Sequence, residues 1–155
     1  MPGYLSIVLH AHLPFVRHPE HEKFLEESWL FEAITETYLP LVQILAGWRR
    51  DQVDARITLS LSPTLCAMLL DPLLRGRYAK NLDGLIDLAE KEIHRTHWDR
   101  AFRNLAWMYH HKFCQARETW RHYDGNLISA FRQHQDEGRI EIIAPEQAHD
   151  ATSKP

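Results

Sequence analysis

An apolar run that leads into two histidines opens the chain: Tyr4-Leu5-Ser6-Ile7-Val8-Leu9-His10-Ala11-His12-Leu13-Pro14-Phe15. The run from Tyr4 to Leu9 has the length and the β-branched content of a strand, and we expect it to be buried. Because side chains two apart on a strand share a face, His10 and His12 point the same way. Pro14 lacks a backbone N–H donor and ends the strand. Ligands of α/β proteins gather at the carboxyl ends of strands, so this pair is the first candidate for a functional site.

The histidine pair alone leaves several kinds of chemistry open. Two neutral imidazoles on one face can ligate a divalent metal, hydrogen-bond a polyhydroxyl substrate or transfer protons. They can also be two buried histidines with a purely structural role. The position of His10 and His12 at a strand end, directly before Pro14, favours a functional role.

Two further strands and several helices follow in the apolar pattern. The segments 55–61 and 140–143 are predicted strands. Ser62-Pro63 predicts a helix start, with proline in its preferred first turn. The order is strand, helix, strand, several helices and strand. It is typical of an α/β fold built from parallel β-α-β units.

Capping and helix-breaking residues predict where the helices start, bend and end. Ser28 is a plausible N-cap for the first helix, and Pro40 should kink or split it. A further helix is expected over residues 78–94. Apolar residues then advance by threes and fours from residue 102 to residue 131, which predicts a long helix or a pair broken at Gly125. Gly138 has the position of a C-cap glycine.

Composition narrows the class of protein. The chain has 155 residues, 45% of them hydrophobic and 25% charged, which suits one globular domain. A net charge of −3 predicts neither a nucleic-acid partner nor binding to an anionic membrane. Without an apolar run of spanning length or a secretory leader pattern, we expect a cytoplasmic location. Cys66 and Cys114 have no metal or redox spacing and are predicted to be buried free thiols.

Three other groups of residues are candidates with strong structural alternatives. The helical histidines are expected to have no common function: His94, His97, His110 and His111. The carboxylates near the first helix are interpreted as a solvated patch: Glu26, Glu27, Glu32 and Glu36. Trp29 follows the loop that leaves the histidine pair, and it is either a sugar-stacking platform or an anchor of its helix.

Two segments closely resemble the N-terminus of glycoside hydrolase family 57, and most closely its 1,4-alpha-glucan branching enzymes. The first is the opening stretch through Arg17, which contains the His10-Ala11-His12 motif. The second reads Trp29-Leu30-Phe31-Glu32-Ala33-Ile34-Thr35-Glu36-Thr37-Tyr38-Leu39-Pro40-Leu41. The resemblance continues through residues 56–65, 69–74 and 138–143.

The resemblance implies an α/β fold that is the N-terminal portion of an incomplete (β/α)7 barrel. It implies that residues 1–143 belong to the barrel and that residues 144–155 diverge from the family; their polar composition without an apolar period predicts a disordered tail. The activity implied is retaining transfer within α-1,4-glucan to form α-1,6 branches, without a cofactor or a metal. The partners implied are an α-glucan substrate and the rest of a barrel. Three strands without that rest are expected to expose an apolar edge.

The resemblance also implies roles for individual residues. His10 and His12 carry over as walls of the sugar site and Trp29 as a neighbouring aromatic. His149 keeps register with a Thr-His-Gly segment of the family, although its neighbours here are alanine and aspartate. Retention needs two carboxyl groups about 5 Å apart, and no acidic residue of this chain corresponds to either, so no catalytic residue is expected here. The alternatives are a metal-dependent hydrolase of the amidohydrolase type that uses the histidine pair, and a non-catalytic glucan-binding module.

Overall fold

Three parallel strands form the centre of the computed structural model, which describes residues 3–144. The strands are β1 (Val8–Ala11), β2 (Ile57–Leu61) and β3 (Ile140–Ile143), in the spatial order β1-β2-β3. Six helices connect and follow them: α1 (Glu27–Ala33), α2 (Leu39–Arg50), α3 (Pro63–Leu70), α4 (Pro72–Arg95), α5 (Arg100–His122) and α6 (Leu127–Asp136). Both strand pairings are parallel, so the predicted α/β class is confirmed.

The helices cover one face of the sheet. The side chains that enter the hydrophobic core come from alternate strand positions: Ala11, Ile57, Leu59, Leu61 and Ile140. The opposite face carries Val8 and Ile143, which are 45% and 39% exposed. Because both crossovers run in the same direction along the sheet, right-handed connections bring their helices to the same face. The described residues therefore leave one face of the sheet uncovered, and we call it the open face.

The opening apolar run differs from its prediction. Tyr4 and Leu5 are 96% and 86% exposed, and β1 begins only at Val8. The last ladder contact before β1 is the bond from the Thr58 N–H to the Ile7 carbonyl, at 3.0 Å. β1 is an edge strand of the described sheet, so these residues have no neighbour on one side. The expected burial is wrong for this reason, and the expected exposed apolar edge is confirmed.

Two predicted helix starts have opposite outcomes. Ser62 caps α3, because its Oγ accepts a hydrogen bond from the Leu65 N–H at 3.2 Å. Ser28 is not a cap, since α1 begins one residue earlier and the Ser28 Oγ donates to the Leu25 carbonyl instead. The predicted helix over 78–94 is longer than expected, because Asp71 caps α4 and the helix continues through its glycines.

Proline and glycine interrupt the helices where they were expected to. A π-helical turn, Ile34–Tyr38, separates α1 from α2 just before Pro40, whose missing N–H breaks the α-helical ladder. Gly125 has φ +69° and separates α5 from α6; a Cβ there would lie 2.8 Å from Trp120 Cζ2. Gly138, with φ +70°, follows the end of α6 and leads into β3.

The long helices α4 and α5 pack against each other. The apolar stripe of α5 is buried at Trp120, whereas Phe102 at its start is 58% exposed. In residues 3–144 no helix has both the length and the hydropathy needed to span a membrane. Cys66 and Cys114 are free thiols as predicted, although each is only half-buried.

The interpretation of the carboxylates as a solvated patch is wrong for Glu27. Its side chain is 2% exposed and forms an ion pair with the Arg77 guanidinium of α4, whose side chain is 15% exposed. The same guanidinium donates to the backbone carbonyls of His18 and His21. Glu27 therefore connects α1, α4 and the loop that follows β1.

Replacement of Arg77 tests this connection. The Arg77→Met change leaves the Glu27 carboxylate buried without its partner, and we expect a loss of about 3–5 kcal/mol in the free energy of unfolding. The matched control is Arg95→Met, since the Arg95 side chain is 68% exposed in its pair with Glu92 and should contribute less than about 1 kcal/mol. The measurement is urea unfolding. Equal costs for the two variants would contradict the account, as would a double variant with Glu27→Leu that is no more stable than Arg77→Met.

Candidate functional site

His10 and His12 lie where β1 ends. His10 is in the strand, His12 follows it, and both side chains are exposed. Alternation places both on the open face, since Ala11 between them enters the core on the other face. The predicted common orientation of the pair is therefore consistent with the backbone.

The central strand supplies small polar side chains beside the pair. His10 is in register with Ser60, which is in register with Ile143 of β3. Ser60 is 2% exposed because it lies between these larger neighbours on the central strand. The ladder continues one step further, with the Ser62 N–H donating to the Ala11 carbonyl at 3.1 Å. The carboxyl end of the open face thus carries two imidazoles beside the small hydroxyl side chain of Ser60.

The loop after His12 is fixed to the helices rather than free. Val16 is 2% exposed in the core. Arg17 Nε donates to Asp71 Oδ2 at 2.6 Å, which ties the loop to the N-terminus of α4. Burial alone would raise the pKa of the Asp71 carboxyl, but the Leu74 N–H and the Arg17 guanidinium outweigh it and lower the pKa below its ordinary value. Together with the Arg77 contacts, this pair holds the chain that leaves the histidines.

Trp29 lies on α1 and is 49% exposed. Across residues 3–144, no hydrogen bond or ring contact joins it to His10 or His12. The loop of residues 13–26 separates it from the pair along the chain. Its role therefore stays a prediction, and His149 lies outside the described residues.

Carboxyl groups are scarce on the open face. Among the strand residues described, Glu141 alone brings a carboxylate to it, and its Oε2 accepts from the Thr58 hydroxyl at 3.5 Å. Within the same described part of the chain, no three histidine, cysteine or acidic side chains converge as metal ligands would. The arrangement is suited to hydrogen bonding with a polar ligand through imidazoles and hydroxyls.

Sequence reasoning missed the residues that position this site. The two pairs that hold the loop join residues far apart in the sequence: 54 residues for Arg17 with Asp71 and 50 for Arg77 with Glu27. No local pattern connects them. Ser60 had a usable signal. The stretch Ile57-Thr58-Leu59-Ser60-Leu61-Ser62 alternates apolar and polar residues, whereas a parallel strand covered on both faces is apolar throughout. The helical histidines share no common cluster in residues 3–144.

Comparison with known proteins gives a consistent result. A model of Glycosyl hydrolase family 57 matches residues 6–151. A 1,4-alpha-glucan branching enzyme of Thermococcus kodakarensis is 30% identical over 150 residues, which is 96% of this chain and 22% of that enzyme. The chain thus spans about a quarter or less of the length of such relatives.

Solved structures agree with the sequence match. An alpha-amylase of Thermotoga maritima superimposes with a TM-score of 0.86 at 41% identity, over 93% of this chain and 27% of that one. A GH57-type branching enzyme of Pyrococcus horikoshii gives a TM-score of 0.85 at 33% identity, with the same coverage of both chains. The three strands and their helices correspond to the N-terminal portion of the (β/α)7 barrel of these enzymes. On the sequence match and the shared fold, the chain belongs to Glycosyl hydrolase family 57.

Proposed function

We propose that this chain provides one wall of an α-glucan site in a 1,4-alpha-glucan branching enzyme. The observation that carries the proposal is the position of His10 and His12 on the open face, at the carboxyl end of β1. In (β/α) barrels the helices lie outside and the active site lies at the carboxyl ends of the strands. The open face would then be the inner face of the barrel.

The chemistry of the open face suits a sugar. A neutral imidazole has one donor and one acceptor nitrogen, and each sugar hydroxyl can donate and accept. The two exposed histidines can therefore bind neighbouring hydroxyls of one glucose unit without a charge. Trp29 would offer an apolar ring for a neighbouring unit, as the resemblance implies.

Catalysis is proposed to need groups from elsewhere in the barrel. Retaining transfer uses a carboxylate nucleophile and a carboxyl acid/base about 5 Å apart. The described open face has one carboxylate, Glu141, in contact with Thr58. We therefore propose that the chain by itself binds glucan and does not transfer it. A cytoplasmic location stays a prediction.

The metal-dependent alternative explains less of the chain. A histidine pair after a first strand fits either proposal. Only membership in the glycosidase family also accounts for the match over residues 6–151. The non-catalytic glucan-binding module differs from our proposal in one respect, since it needs no further barrel to be functional.

Alanine variants of the pair test the binding role. His10→Ala and His12→Ala each remove hydrogen-bonding groups worth about 1 kcal/mol, so we expect affinity for maltoheptaose to fall about fivefold in each. The measurement is calorimetric titration. His122→Ala, an exposed histidine at the end of α5, is the matched control and should leave the affinity unchanged. Unchanged affinity in both site variants would contradict the role of the pair.

An activity assay tests the proposal that the chain alone does not transfer glucan. The purified chain is incubated with amylose, and new α-1,6 linkages are sought by debranching and by NMR. We expect none, because the described open face does not carry the pair of catalytic carboxyl groups that a retaining site needs. Branching by the chain alone would overturn this part of the proposal.

A further inference from the structure

His134 of α6 is a buried titratable residue with no role in the glucan site. Its side chain is 1% exposed, and neither ring nitrogen has a hydrogen-bond partner within residues 3–144. Its Nδ1 lies 3.5 Å from Glu137 Oε2, an atom that is also buried without a hydrogen bond. Burial favours the neutral form of this ring, whereas the nearby carboxylate favours its charged form.

The charged groups that face His134 come from two elements. Glu137 follows α6, and its Oε1 accepts from Arg49 of α2 at 2.6 Å and from Gln133 at 2.9 Å. The phenol of Tyr123, before α6, faces the same Glu137 and Arg49. α3 packs against α6 and has no acidic or basic residue, and Glu141 of β3 lies on the other face of the sheet.

Opposing effects act on the pKa of the His134 ring, and burial is the largest of them. Burial lowers the pKa of His134, the Glu137 carboxylate raises it, and the Arg49 guanidinium lowers it again. The net direction is downward from the ordinary value. Glu137 is already neutralised by Arg49, which explains why its attraction does not reverse the effect of burial.

The backbone of His134 leads directly into the sheet. Its carbonyl accepts from the Arg139 N–H at 2.9 Å, and the Arg139 carbonyl accepts from the Ile57 N–H at 3.2 Å. The Arg139 side chain also donates to the Val53 carbonyl, at 2.5 Å. A disturbance of the end of α6 therefore reaches the start of both β3 and β2.

We infer that the neutral ring of His134 stabilises the connection between α6 and β3, and that acid weakens this connection. The ring is neutral at and above neutral pH, and its protonation places a charge in a buried site whose nearest carboxylate, Glu137, is already paired with Arg49 and Gln133. The end of α6 then loosens and β3 loses its anchor. The consequence is a chain whose third strand is held firmly above about pH 6.5 and weakly in acid.

The sign of the effect follows from linkage. The pKa of His134 is lower in the folded chain than the ordinary value of 6.5, so its contribution is fully present above pH 6.5 and is lost as the pH falls. Between pH 7.5 and pH 5.0 this group alone can raise the unfolding constant by up to about 30-fold.

The test compares the full chain with His134→Met, which keeps the volume and removes the titration. The unfolding constant is measured with urea at pH 7.5 and at pH 5.0. Its rise between the two pH values should be smaller in His134→Met than in the parent chain, by a factor of up to about 30. The control variant His122→Gln should behave like the parent. Equal pH dependence in the parent and His134→Met would overturn the inference.

A second measurement does not depend on that variant folding. Amide hydrogen exchange of Arg139 and Ile57 in the unmodified chain is compared at the two pH values, after correction for intrinsic rates. We expect both amides to lose protection in acid more than the amides in the middle of α4. A uniform loss of amide protection over the whole chain would contradict a local effect at the connection between α6 and β3. A His134 ring that titrates at or above pH 6.5 by NMR would contradict it too.

Discussion

The direction of the two crossovers is the constraint on which the rest of the structure depends. β1, β2 and β3 lie side by side in chain order, so each connection moves the same way along the sheet. Right-handed crossovers then bring their helices to one face, and the core forms there from Leu59, Leu61 and their neighbours. The other face is left to polar and half-exposed side chains. An α/β sheet that reversed direction would have covered both faces and left no place for His10.

Positioning of the histidine pair depends on partly buried polar contacts as much as on the sheet. The loop after β1 is held by Arg17 with Asp71 and by Arg77 with Glu27 and two backbone carbonyls. Both pairs connect this loop to α4. Helix α4 therefore fixes the chain at the site, and a change at its first turns would move the residues after His12.

The sequence predicted the features whose causes are local. Ser62, Gly125 and Gly138 act through their own backbone and their nearest neighbours, and β2 and β3 alternate or run apolar within a few residues. The exposure of Tyr4 was not predictable, because burial of an edge strand depends on whether another strand lies beside it. Glu27 and His134 were missed for a related reason: their burial is decided by partners on other elements. The orientation of the site could have been read from the alternation in β2, and the resemblance supplied its chemistry.

The central claim is that the open face binds α-glucan at the carboxyl ends of the strands. Methyl NMR of the chain titrated with maltoheptaose tests it most directly, because Val8 and Ile143 report on the open face and Leu59 reports on the covered one. We expect shifts at Val8 and Ile143 that saturate with ligand, and none at Leu59. Shifts confined to the exposed end of α5 around Phe102, or none at millimolar ligand, would contradict it.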